Sequence, residues 1–150
     1  MRSVVAGVLL VTGCTSGAAE LPAPDYGDFR AVVYPLLLRD CGFSQCHGDP
    51  ERFFVVWGPG RLRLEPDIDG PFDPPTEDEV WLSYQRTRSA LTYEGELDDA
   101  PLLQKPLEGH AHRGEDVWGR NLWQRSEPSW QEVARWAAGV PLAETEELGL

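Results

Sequence analysis

The chain has 150 residues with 25 acidic against 13 basic side chains, a formal charge of −12, and its length suits one domain with its own hydrophobic core. So acidic a surface argues against nucleic acid and anionic lipid headgroups as partners, because affinity for phosphate rests on clustered Lys and Arg that displace counterions. The 15 Gly and 13 Pro predict short elements joined by long loops.

At the N-terminus Arg2 is followed by the apolar run Val4-Val5-Ala6-Gly7-Val8-Leu9-Leu10-Val11 and then by Thr12, Gly13 and Cys14. The run is far below the roughly 18 apolar residues that span a bilayer, so residues 1–13 read as an export signal. Leu10-Val11-Thr12-Gly13-Cys14 resembles the bacterial lipobox, in which small residues precede a Cys that becomes the lipidated N-terminus. That resemblance implies lipidation at Cys14, a membrane anchor through the lipid, and a place in the bacterial cell envelope facing the periplasm or the cell surface. The alternative is an ordinary secretory signal with a chance Cys, and either route exports the protein. Residues 14–27 then read as the lipidated Cys with a flexible tether, 28–142 as the folded domain and 143–150 as an acidic tail.

Within the domain, Phe29, Val32, Val33, Leu36 and Leu37 recur at helical spacing. Pro35 interrupts them, which predicts either a kinked helix or a fresh helix with Pro35 in its first turn. Phe53-Phe54-Val55-Val56-Trp57, Gly58-Pro59-Gly60 and Arg61-Leu62-Arg63-Leu64 read as two short strands about a turn, a small β-hairpin. Residues 65–79 carry seven acidic side chains and four prolines and read as a loop. Thr76 and Glu79 form a capping box ahead of Val80, Trp81 and Tyr84, which predicts a helix of roughly 12 residues ending near Leu91. Asp98, Asp99 and Pro101 begin a short turn through Leu102 and Leu103. Ser129 and Glu132 read as a second capping box, with Trp130, Val133, Trp136 and Ala137 on one helical face and Gly139 and Pro141 stopping it. Trp118 and Trp123 are expected to close the same core. The fold class is therefore mainly α, with long loops and one short hairpin.

With Cys14 assigned to lipid, Cys41 and Cys46 remain, in the segment Cys41-Gly42-Phe43-Ser44-Gln45-Cys46-His47-Gly48. Two thiols followed at once by His match the chemistry of haem c attachment, in which the thiols add to the porphyrin vinyls and the His is carried beneath the iron. The usual motif has two residues between the cysteines and this one has four. Two other readings stand beside it. An exported protein can close a Cys41–Cys46 disulfide, worth about 2 kcal/mol for so short a loop, though this leaves His47 without a role. A structural zinc or copper site could combine Cys41, Cys46, His47 and a distant His.

Over most of the domain the chain resembles the small cytochrome c domains of the planctomycete type. The resemblance is carried in order by Phe29, Val33, Pro35 and Leu37; by Cys46-His47-Gly48; by Leu102-Leu103-Gln104-Lys105-Pro106; by His112-Arg113-Gly114; and by Trp136-Ala137-Ala138-Gly139. The chain departs from that pattern in its cysteine spacing and in Gly114-Glu115, where the family has Gly-Gly. The resemblance implies a cytochrome c-like fold, one covalent haem c held by Cys41 and Cys46 with His47 on the iron, and electron transfer with a redox partner protein. Met1 is the one methionine and leaves with the signal, so the sixth ligand cannot be Met. His112 is the expected sixth ligand because it precedes Gly as in the resembling pattern, with His110 as the alternative; loss of Met ligation lowers the reduction potential.

Asp67, Asp69 and Asp73 lack the Gly and distal Glu of a calcium loop. With no nucleophile elbow and no phosphate-binding glycine loop, nothing in the sequence points to an enzyme. The rival to electron transfer is a cofactor-free surface lipoprotein, closed by a Cys41–Cys46 disulfide and serving as a binding or scaffold module. The lipobox generates the first test: Cys14→Ser releases the protein from the membrane fraction or leaves the precursor unprocessed, read by fractionation and intact mass. Normal processing with unchanged membrane retention would count against lipidation.

Overall fold

The computed structural model describes residues 22–92, 95–107 and 123–142. The signal segment, Cys14, His110, His112, Trp118 and the acidic tail lie outside them. The described chain is mainly helical: α1 (Tyr26–Asp28), a π-helical turn (Phe29–Val33) and α2 (Tyr34–Asp40) follow without a break, then α3 (Glu77–Ser89), a 3-10 turn (Leu97–Asp99), α4 (Pro101–Gln104) and α5 (Pro128–Ala137). Among the described residues no helix is long and apolar enough to cross a membrane.

Pro35 accounts for the wide turn. It has no N–H to give the carbonyl four residues back, and its ring crowds that carbonyl. The backbone closes a longer step instead, Tyr34 N–H to Phe29 O, and α2 begins anew with Pro35 in its first turn, where a missing donor is harmless. The helix neither stops nor sharply breaks at the proline; it widens ahead of it and rewinds. Phe29, Val33 and Leu37 stay in register and are fully buried.

α3 starts as the sequence predicts. Thr76 Oγ1 accepts from Glu79 N–H, and the Glu79 carboxylate accepts from Thr76 N–H. α5 does not start with the expected box at Ser129 and Glu132. Its N-cap is Glu127 and Pro128 takes the first turn, because a fixed φ near −65° and an absent N–H suit that position. Ser129 Oγ instead accepts a hydrogen bond from Arg39 Nη2 at 2.8 Å. The buried face is the expected one, Trp130, Val133, Trp136 and Ala137, and Gly139 ends it at φ +70°, a conformation open to glycine.

Phe29, Tyr84 and Trp136 meet where three helical segments converge, with ring centroids 5.3 Å apart for Phe29–Tyr84 and 5.4 Å for Phe29–Trp136. Aromatic side chains bury about 150–250 Å² each, so the junction supplies several kcal/mol at about 25 cal/mol per Å². Trp123 and Leu103 extend the same core. The incoming chain is fixed to it by carbonyls: Pro24 O accepts from Tyr84 OH at 2.7 Å, Asp25 O from Trp136 Nε1 at 2.8 Å and Pro22 O from Arg88 Nε at 2.6 Å. Packed chain thus extends from residue 28, the expected domain start, back to Pro22.

The expected hairpin does not form. Between residues 53 and 64 there is one isolated bridge, Trp57 to Leu62, around the Gly58-Pro59-Gly60 turn. The backbone donors of the two halves are taken elsewhere: Val56 N–H by His47 O, Trp57 N–H by Ser83 Oγ, Leu64 N–H by Glu79 Oε1. Residues of strand-like composition bind a loop on one side and α3 on the other, so cross-pairing stops at the turn, where Gly58 N–H donates to Leu62 O at 2.8 Å.

Arg63 and Glu79 form a buried fork, Nε to Oε1 at 2.8 Å and Nη2 to Oε2 at 3.0 Å, with Glu79 0% exposed. Arg63 also donates to the carbonyls of Gly70, Asp73 and Pro74, so it holds the acidic loop against α3. Burial alone would raise the Glu79 pKa, but hydrogen bonds from Arg63 and from the N–H groups of Leu64 and Thr76 outweigh it and hold the carboxyl below its ordinary 4.5. The stabilisation is complete above pH 4.5 and is lost as pH falls through the lower folded pKa. Arg63→Met is expected to cost about 3–5 kcal/mol by stranding a buried carboxylate. Urea unfolding at neutral pH and across the acid range reads this, with the acid-dependent loss flattened in the variant.

Candidate functional site

α2 delivers the chain to the cysteine segment. Cys41 caps the helix, its N–H still bonded to Leu37 O at 2.8 Å, and its side chain faces the core, where the residue is 6% exposed. The chain then reverses through a tight loop. Cys46 N–H and Gly48 N–H both donate to Phe43 O, at 2.8 and 2.9 Å, and His47 N–H returns to Cys41 O at 3.0 Å. A Cβ on Gly48 would collide with Gly42 O, and one on Gly42 would lie 2.9 Å from Leu38 O. The two sides of the loop therefore touch backbone to backbone, which only glycine at these positions permits.

His47 is half buried and is held by residues 54–56. Its Nδ1 lies 2.9 Å from Phe54 O, its ring packs 4.5 Å from the Phe54 ring, and its carbonyl accepts from Val56 N–H at 2.8 Å. A carbonyl only accepts, so Nδ1 carries a proton, and in the neutral form of such a ring the lone pair is on Nε2. This is the tautomer and the outer hydrogen bond of a metal-ligating imidazole.

Cys41 and Cys46 are free thiols in the structure, so the expected alternative of a disulfide is not formed here. Their surroundings differ: Cys41 is buried and Cys46 is half exposed. Burial pushes the Cys41 thiol up to about 12, and the neighbouring Asp40 carboxylate adds to the rise, so Cys41 is protonated at neutral pH. Among the described residues no three His, Cys, Asp or Glu side chains converge to hold a metal ion. Cys41, Cys46 and His47 thus do not by themselves make the closed cage of a structural zinc site.

On the outer side of the loop an open cleft of about 310 Å³ is lined by Phe43, Ser44, Gly48, Gly60, Arg61 and Leu62. That volume is near the lower end for ligand pockets, about 300–1,000 Å³, and the described residues do not enclose a porphyrin. Arg61 closes one wall. Its guanidinium stacks 4.1 Å over the Phe43 ring, while its Nε and Nη1 donate to Leu38 O and Gly60 O, both at 2.9 Å.

His112 and its alternative His110 lie outside the described residues; the described residues on either side of them are Leu107 and Trp123. Leu107 pairs with Trp123, and Trp123 Nε1 donates to Asp40 Oδ2 at 2.9 Å. The described residues that flank the segment, Leu107 and Trp123, thus meet beside Asp40, the residue that precedes Cys41. Two contributors were not legible in the sequence. The carbonyl of Phe54 orients His47 whatever its side chain, so no residue type announces it, and Arg61 reads as one of many surface arginines until its stacking on Phe43 is seen.

Comparison with models of protein families, with curated proteins and with solved structures finds no match for this chain.

The glycine contacts generate a test of the loop. Gly48→Ala is expected to cost about 1–3 kcal/mol by overpacking, read as a lower urea midpoint. An unchanged midpoint would show that the backbone approach at Gly42 is not tight.

Proposed function

We propose that the protein is an exported, lipid-anchored c-type cytochrome with one covalent haem that carries electrons to or from a partner protein. The observation that carries this reading is the hydrogen bond from His47 Nδ1 to Phe54 O, the outer hydrogen bond that orients a metal-ligating imidazole, next to a half-exposed thiol. The donor set is suited to haem in particular. A macrocycle supplies four nitrogens of its own, so the protein need offer only axial ligands and thiols for attachment, and the described residues offer one oriented imidazole beside a half-exposed thiol.

In this reading the 41–46 segment would attach the porphyrin, His47 would bind the iron, and His112, or in its place His110, would be the second protein ligand. Bound haem supplies reversible one-electron exchange at iron. The chain's own residues set the conditions for it. Phe54 O fixes the imidazole plane and raises its basicity, and the Phe54 ring, 4.5 Å from His47, keeps water from that edge. The cytochrome c-like fold belongs to this proposal. Its support is that the helical rod before the cysteines and the last helix pack on one another through Phe29 and Trp136, two residues that carry the family resemblance. The rival disulfide-closed module gains no support from two thiols placed one in the core and one at the surface.

The experiment is the visible spectrum of protein exported in a host that matures c-type haem. Wild type is expected to be coloured and to keep its haem through denaturation and acidified-solvent extraction. His47→Ala is expected to lose at least tenfold of the native low-spin species. His112→Ala turns the spectrum toward high spin and admits carbon monoxide while haem stays attached; His110→Ala leaves it unchanged. A colourless wild-type protein in that host would sink the proposal, and the opposite outcome for the two late histidines would reverse their roles.

A further inference from the structure

The two thiols are not equivalent, and the difference is geometric. Cys41 belongs to the hydrophobic core that holds Phe29, Leu37 and Leu103, and is 6% exposed. Turning it outward would need movement of the helix end that its N–H and that of Gly42 both close on Leu37 O, at 2.8 and 3.0 Å. It would also need the loop to open, yet His47 N–H is bonded to Cys41 O at 3.0 Å and Gly42 lies against Gly48. The bond that anchors His47 is thus one of the bonds that hold Cys41 inward. Cys46 is under no such constraint. It is half exposed, it immediately precedes the oriented imidazole, and its own N–H closes only the local turn on Phe43 O.

We infer that haem is joined through a single thioether, at Cys46, and that Cys41 remains a free thiol of the core. This rests on the proposed haem reading and narrows it, since that reading alone would use both cysteines. The chemistry balances without an oxidant. The Cys46 S–H adds across one vinyl C=C, the sulfur bonding to the carbon next to the ring and the thiol hydrogen ending on the terminal carbon, with no electrons lost from protein and haem together. The second vinyl keeps its double bond.

The test uses full-length holoprotein from a host that matures c-type haem, denatured, treated with iodoacetamide and mapped by peptide mass. The expected result is a haem-bearing peptide linked through Cys46, with Cys41 carbamidomethylated in the same chains. Cys41→Ala is expected to keep covalent haem within twofold of wild type, and Cys46→Ala to lose it at least tenfold. Alkylation of wild type decides the matter even where a core substitution impairs folding. Haem-bearing chains in which Cys41 resists alkylation, or carries the linkage, would overturn the single thioether while leaving the haem reading intact. Chains with no haem and both thiols alkylated or bridged would overturn the haem reading itself.

Discussion

Phe29, Tyr84 and Trp136 come from the π-helical turn, α3 and α5, segments far apart in the chain, and their rings meet within about a ring's width of one another. Most of the remaining structure is arranged around that meeting. The polar tips of Tyr84 and Trp136 reach past it to the carbonyls of Pro24 and Asp25, so the same side chains that fill the core also fix the chain that enters it. Trp and Tyr suit this position because each joins a large apolar body to one hydrogen-bonding end. A loop-rich chain has few long elements to share the work of burial, and here a small number of large rings carry much of it.

That junction determines where the cysteine segment lies. Because Phe29 and Leu37 are on one rod with Cys41 at its end, burying the first two carries Cys41 into the core as well. The loop must then turn back over the helix end, and the Gly42–Gly48 backbone contact allows it to do so. His47 emerges where residues 54–56 run past, so its ring nitrogen and its carbonyl both find partners in that one strip of chain. The strip is unavailable for strand pairing for the same reason: its polar groups serve the loop on one side and α3 on the other.

Charge is handled by the same economy of contacts. The acidic loop of residues 65–76 would have little to hold it, with Ile68 and Phe72 exposed. Arg63 anchors it inward, binding Glu79 and three loop carbonyls together, and Gly60 N–H adds a bond to Pro71 O. A buried ion pair of this kind adds little net stability over an apolar substitute, yet losing one member is severe. Its service here is to fix one loop conformation next to α3 and to keep the Gly58-Pro59-Gly60 turn, which borders the cleft, in place.

The sequence by itself determined the mainly helical class, the Thr76–Glu79 cap of α3, the buried face of α5 with its glycine stop, and the cysteine segment as the place to look. These are local properties: capping boxes, helical periodicity and a glycine beyond a helix are set within a few residues. Tertiary structure decided what depended on partners distant in the chain. Strand-like composition at residues 53–64 produced no hairpin, as His47, Ser83 and Glu79 took the backbone donors of Val56, Trp57 and Leu64. Pro128, not Ser129, opened α5, with Ser129 Oγ drawn to Arg39. The two cysteines look alike in the sequence, and only packing separates a core thiol from a surface one. Likewise His47 reads as a ligand from its neighbours in sequence, but which nitrogen bears the proton was settled by a backbone carbonyl seven residues away, a group that every residue carries and no sequence pattern can mark.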